Sequence, residues 1–128
     1  MMSYNIGLQA YKEQTVSTMT TGEMLILLYD EMIKRLKKAE ILANNSDFEN
    51  FESEVKRVQE IIAYLNNSLD RRFEISKNLL SLYDFFNYQL IRVTASRNLT
   101  LIDELIPLIE DLRDTYRQAD KLSKTQDI

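Results

Sequence analysis

Only two glycines and one proline interrupt a chain of 128 residues. All-β folds need turn residues at short intervals, roughly every 8–12 positions, and this chain does not have them. Long helices are what remains. A chain of this length is one domain's worth, and it buries about two-thirds of its unfolded surface, enough for a single core without cross-links. The balance of 45% apolar and 28% charged residues is that of an ordinary soluble globular protein.

The apolar spacing divides the chain into four helical stretches. Thr20-Thr21-Gly22-Glu23 reads as a capping box, with the Thr20 hydroxyl accepting three residues on and Glu23 reaching back. The first helix then runs to about Asn44, with Leu25, Leu28, Met32, Leu36, Ala39 and Ala43 on one face. Its opening, Met24 to Tyr29, is apolar almost all the way round, so Ile26, Leu27 and Tyr29 exceed what one core face requires. Asn44-Asn45-Ser46-Asp47 is a turn with capping chemistry. A second helix spans Phe48 to Leu69, striped by Phe51, Val55, Val58, Ile62, Leu65 and Leu69 and widened by Ile61 and Tyr64. Asp70-Arg71-Arg72-Phe73 is predicted to be a tight reversal, a kinked continuous helix being the alternative.

The third helix, about 75–97, shows Ile75, Leu79, Leu82, Phe86, Leu90 and Val93, with Leu80, Tyr83 and Ile91 on another face. Thr100 is the expected cap of a fourth helix carrying Ile102, Leu105, Ile109, Leu112, Tyr116 and Ala119. The apolar phase passes through Pro107 unbroken, which predicts a bend with the proline on the outer face. The expected fold is therefore all-α: an antiparallel four-helix bundle over residues 20–122, with an extended N-terminal arm over 1–19 and a frayed polar tail over 123–128. Within the arm, Leu8, Tyr11, Val16 and Met19 are spaced apolar residues with no stripe of their own.

Catalysis finds little support. Cysteine and histidine are both absent, which removes thiol nucleophiles, thiolate metal sites, imidazole bases and the di-iron chemistry of helical bundles. No catalytic, cofactor-binding or metal-binding residue can be nominated. The predicted inward positions are all apolar, and Asp103/Glu104 and Glu110/Asp111 read as a solvated helix face. A net charge of −4 disfavours nucleic acid, and the basic cluster Lys34, Arg35, Lys37, Lys38 sits among Glu31 and Glu40 on a helix. The run Met24 to Tyr29 is far too short for membrane insertion, and no secretion signal is expected, so the reading is cytoplasmic. Tyr29 and Tyr83 occupy equivalent settings, each preceded by leucine and followed by aspartate. They either line the core rim with wet hydroxyls or line a groove that receives another chain.

Thr18 to Leu25, followed by Leu28-Tyr29-Asp30, resembles the opening of the flagellin export chaperone family, the FliS-like proteins. The likeness recurs at Leu65 to Asp70, at Glu74 to Phe85 ("EISKNLLSLYDF") and at Leu108 to Tyr116, covering about residues 8 to 119 in one order. Thr21 stands where the family usually has proline, Glu31 where it has glycine, Tyr88-Gln89 where it has a basic pair, and Tyr116 where it has tryptophan. The family's Gly-Gly between helices two and three is also missing. The resemblance implies a cofactor-free cytoplasmic chaperone that binds the disordered C-terminal segment of flagellin in apolar grooves. It would prevent premature polymerisation and, when loaded, meet the flagellar export gate.

By matching position, Leu8 and Tyr11 would belong to an arm near the groove. Leu25, Tyr29, Leu65, Leu69, Leu79, Leu82 and Tyr83 are the groove candidates, and Asn78 is placed to cap a peptide carbonyl. The competing reading is a self-associating helical adaptor or scaffold without chaperone activity. Whether the free chain is a monomer or a homodimer is left open.

Overall fold

The computed structural model describes residues 19–126, which form four α-helices: α1 Thr21–Asn44, α2 Phe48–Asn67, α3 Ile75–Ser96 and α4 Leu99–Gln126. The connections are short, so sequence neighbours run antiparallel. The helices form a ring, in which α1 and α3 each pack against both α2 and α4. The expected all-α bundle is the observed architecture. The last helix continues through Gln126, past the point where the polar tail was expected to fray.

Local chemistry accounts for the helix ends. Thr20 Oγ1 accepts from the Glu23 amide at 3.1 Å, as the capping box predicts, but the Glu23 carboxylate is engaged by Lys124 Nζ at 2.7 Å. Asp47 Oδ1 accepts from the Asn50 amide and starts α2. Asn98, and not Thr100, caps α4, because its Oδ1 accepts from the Thr100 amide at 3.1 Å. Arg97 ends α3 in the left-handed region at φ 53°, with its guanidinium 3.8 Å from the centre of the Phe48 ring. That stacking holds a non-glycine residue in a backbone region it seldom occupies. Residues 68–74 are a tight reversal. Asp70 accepts from the Arg72 amide at 3.1 Å and pairs with its guanidinium at 2.7 Å, while Ser76 Oγ donates to the Asp70 carbonyl. The Arg72 guanidinium and amide hold the Asp70 carboxyl below the usual carboxylate range. Pro107 lies exposed within an uninterrupted α4, as the unbroken phase implied.

The core follows the predicted stripes on α2 closely and shifts on the other helices. On α1 the buried residues are Tyr29, Met32, Ile33, Leu36 and Ala39, while Leu25 and Leu28 are only half-buried. A helix flanked on two sides buries a wider sector than one stripe, which brings in Ile33 and Tyr29. On α3, Ile75 is 61% exposed whereas Ser76 and Tyr83 are buried. On α4, Leu101 and Ile106 join Ile102, Leu105 and Ile109, and Ala119 is exposed.

Two polar features cross this core. The hydroxyls of Tyr29 and Tyr83 are 2.6 Å apart, one donating to the other, and both residues are essentially inaccessible to water. The bond joins α1 to α3 across the ring, so neither hydroxyl is wet. Glu54 on α2 is also buried, held by Arg35 at 3.1 Å and Lys38 at 3.5 Å, where the sequence pattern suggested only apolar inward positions. At the α1–α4 seam, partial burial and the hydrogen bond that a protonated Glu40 gives to a second carboxyl, Asp103, push Glu40 up to about 7, against the pull of Lys37.

Two outcomes follow from these groups. Tyr83→Phe strands the buried Tyr29 hydroxyl and should cost about 1–3 kcal/mol, whereas the Tyr29→Phe/Tyr83→Phe pair should recover most of that loss. Urea denaturation of the three variants checks this. Glu40 binds its proton more tightly folded than unfolded, so its contribution is fully present below its ordinary value of 4.5 and is lost as pH rises through about 7. Glu40→Gln should remove that decline and be the more stable chain at pH ~8, read from denaturation midpoints at pH ~5 and ~8.

Candidate functional site

The apolar surplus at the start of α1 becomes a surface feature. The N-terminal end of α1 is drawn toward the end of α4: Lys124 bridges Glu23 at 2.7 Å and Asp120 at 3.1 Å, and Thr20 Oγ1 lies 3.5 Å from Asp120 Oδ1. Gly22 permits this approach, since a Cβ there would sit 2.9 Å from Asp120 Oδ1. Two turns on, Arg113 Nη1 grips Asp30 at 2.8 Å, and this contact raises the Arg113 pKa above the usual guanidinium value. With α1 tied to α4, its other flank stands open toward α2.

That opening is a trough with two connected parts. The first lies between α1 and α2, has a volume of about 460 Å³ and is floored by Met24, Leu27, Leu28, Ile61 and Tyr64. The second, about 500 Å³, lies at the end of the bundle, where Met19, Leu25, Leu65, Leu69, Phe73 and Leu79 converge with the Tyr116 ring. Met24, Leu28 and Tyr64 border both parts, so the two are continuous. The Tyr64 hydroxyl donates to Met24 Sδ at 3.6 Å across the junction.

Several of these side chains remain largely in water: Leu27 is 45% exposed, Tyr64 52%, Phe73 60% and Ile75 61%. A contiguous apolar patch of this kind marks a surface that another molecule covers. The rim is charged. Glu31 and Arg35 pair at 3.0 Å, and Arg57 and Glu60 face the trough with no ion-pair partner among the described residues.

The structure gathers some of the sequence candidates and separates others. Leu25, Leu65, Leu69 and Leu79 line the trough together. Tyr29 and Tyr83 lie beneath it in the core, with the Tyr29 ring 5.8 Å from that of Tyr116, which does reach the trough. Burial pushes all three phenols above their ordinary value. Leu82 is half-buried and Asn78 exposed on α3, and neither lines the trough. Leu8 and Tyr11 lie outside the described residues. Met24, Leu28, Tyr64 and Phe73 were not among the candidates. Tyr64 was legible as an aromatic widening the stripe of α2, and Phe73 as a large ring in a polar reversal.

Among the described residues, no three acidic, histidine or cysteine side chains converge as a metal site, and no helix is long and apolar enough to cross a membrane. Apolar capture of another chain is the chemistry that the trough itself offers.

The model of the family described as flagellar protein FliS matches residues 3–123. The chain belongs to the FliS family. It is 29% identical over 110 residues to a protein of Bacillus subtilis (strain 168) named flagellar secretion chaperone FliS, an alignment spanning 86% of this chain and 83% of that one. Among solved structures it resembles a bacterial flagellar chaperone in fold, with a TM-score of 0.77 at 22% identity, over 90% of this chain and 98% of that chain. The family match therefore spans α1 to α3 and all but the last three residues of α4, and with them every side chain that floors the trough.

Trough and core residues should differ sharply in their cost to folding. Tyr64→Ser should change the unfolding free energy by no more than about 0.5 kcal/mol, while Ile62→Ala, two positions earlier, buried and away from the trough, should cost about 2–5 kcal/mol. Chemical denaturation of both variants separates the surface left over for a partner from the surface that holds the bundle together.

Proposed function

We propose that this FliS-family protein is a flagellar secretion chaperone whose trough receives the C-terminal segment of flagellin. The observation that carries the reading is the continuous apolar trough between α1, α2 and the α2–α3 reversal, left open beside a complete core. A filament subunit has an amphipathic end that buries itself against its neighbours during assembly. Before export that end needs a cover with matching apolar surface that does not itself propagate. Helix-in-groove packing supplies such a cover without a cofactor.

The guest binds along the trough as amphipathic helices. Its apolar anchors contact Leu25, Leu28, Tyr64, Leu69 and Phe73, and its charged flanks meet Arg57 and Glu60. Ordering a disordered segment costs about 2–5 kcal/mol or more, so the contact must be long and apolar. The two parts of the trough together provide that length. On this reading the protein works in the cytoplasm, the arm that carries Leu8 and Tyr11 covers the empty groove and moves when the segment arrives, and the loaded chaperone meets the export gate. Tyr29 and Tyr83 act from below, by fixing the floor.

Titration calorimetry with the last ~40 residues of the host's flagellin tests the proposal. Binding should be one-to-one with a strongly negative heat-capacity change. Leu25→Glu/Tyr64→Glu should weaken it by at least ~100-fold while circular dichroism stays helical. Absence of heat with the native chain, or undiminished binding by the folded double variant, overturns it.

A further inference from the structure

The basic run Lys34, Arg35, Lys37 and Lys38 is divided between two seams of the bundle. Lys37 lies beside Glu40 at the α1–α4 seam. The other three belong to the opposite side of α1. Leu27, Glu31, Lys34 and Lys38 follow one another by four, three and four residues and so form one ridge. Leu27 and Glu31 on that ridge line the α1–α2 trough, and Lys38 reaches Glu54 on α2, so Lys34 stands on the side that faces α2. Toward the turn at residues 45–47, the last residues that line the trough are Arg35 on α1 and Arg57 on α2. Just beyond them the trough is shut: Glu54 draws in Arg35 at 3.1 Å and Lys38 at 3.5 Å, bridging the two helices. A helical chain lying in the trough must end or turn away at this point.

The charges at this closed end do not balance. Lys34, Arg35, Lys38 and Arg57 outnumber Glu31 and Glu54, and both carboxylates are already engaged, Glu31 by Arg35 at 3.0 Å. Lys34 and Arg57 are exposed and have no ion-pair partner among the described residues. On a chain of net charge −4, this is a local excess of positive charge at the end of an apolar channel. Such an end distinguishes the two termini of a guest. A free amino group and the N-terminal end of a helix are both positive and are repelled. A free carboxylate and the C-terminal end of a helix are both negative, and their attractions to the same cations add. Glu60, one turn nearer the open end and also without an ion pair, repels a carboxylate and confines the attraction to the last turn of the trough.

We propose that the closed end of the trough is a carboxylate subsite, in which Arg57 and Lys34 hold the terminal α-carboxylate of the bound chain. The guest then runs parallel to α1, its last residue at Arg57 and its preceding turns over Leu27, Leu28 and Tyr64. This inference rests on the trough receiving the flagellin tail, and it adds the direction in which the tail lies and the atoms that fix its register.

Calorimetry with three forms of the last ~40 residues of the host's flagellin tests it: the free acid, the C-terminal amide, and a form extended by Gly-Ser-Gly-Ser. The native chain should bind the acid about fivefold tighter than the amide at ~50 mM salt, and the advantage should vanish at ~0.5 M. The extended form should bind no better than the amide, because its carboxylate lies past the bridge that shuts the trough. Lys34→Gln/Arg57→Gln changes two exposed positions, so it should melt like the native chain, and it should lose the preference for acid over amide. Equal affinity of the native chain for acid and amide overturns the subsite and leaves the trough reading standing. A double variant that keeps the preference, or an extended form that binds as tightly as the acid, also overturns the subsite alone. Failure of the native chain to bind any of the three forms overturns the subsite and the trough reading together.

Discussion

Two phenol hydroxyls meeting in the middle of the bundle set the geometry around them. Tyr29 and Tyr83 come from helices that are not neighbours in the ring, and their 2.6 Å contact spans its diagonal. A bulky ring carried in from each side keeps α1 and α3 apart, while the single shared hydrogen bond satisfies both polar tips. Burial pushes both phenols above their ordinary titration range, so the link does not change with physiological pH. Tyr116 stacks against Tyr29 from α4 and carries this rigid floor out to the trough.

Around that floor the polar contacts are unevenly distributed. The α1–α4 seam is stitched by Lys124 with Glu23 and Asp120, and by Arg113 with Asp30. The α1–α2 seam is held at its middle, where Arg35 and Lys38 neutralise the buried Glu54. Toward the start of α1, the polar contact across that second seam among the described residues is the weak Tyr64–Met24 one. A bundle tied on one flank and loose on the other leaves a trough at the loose flank. The same tyrosines and ion pairs that make the core rigid thereby decide where apolar surface stays uncovered, and a preformed site of this kind lowers the ordering cost of binding.

The trough is apolar surface left over beside a complete core. The trough is concave, long and lined by leucines, methionines and rings, a shape suited to a helical guest. Apolar packing along the trough requires no imidazole or thiol, and the sequence contains no histidine or cysteine.

The periodicity of the amino-acid sequence was sufficient for the four helices, their approximate ends, the continuity of α4 through Pro107 and most of the buried stripe on α2. These depend on neighbours within one or two turns, which a linear reading contains. It was also sufficient to flag an apolar excess at Met24 to Tyr29. What that excess does was decided by tertiary structure. Rotation of α1 between two neighbours sent Tyr29 inward and left Leu27 in water, although the two are only two residues apart and equally apolar in pattern. Asn78 and Leu82 share a helix with Leu79 yet miss the trough: Asn78, next to Leu79, faces solvent on another side of α3, and Leu82 lies one turn further along. Glu54 was unreadable as a core residue, since its burial depends on Arg35 and Lys38 arriving from another helix. Local spacing determines which face a helix offers, whereas the partner each face meets depends on crossing angles and long-range ion pairs that arise only when all four helices pack at once.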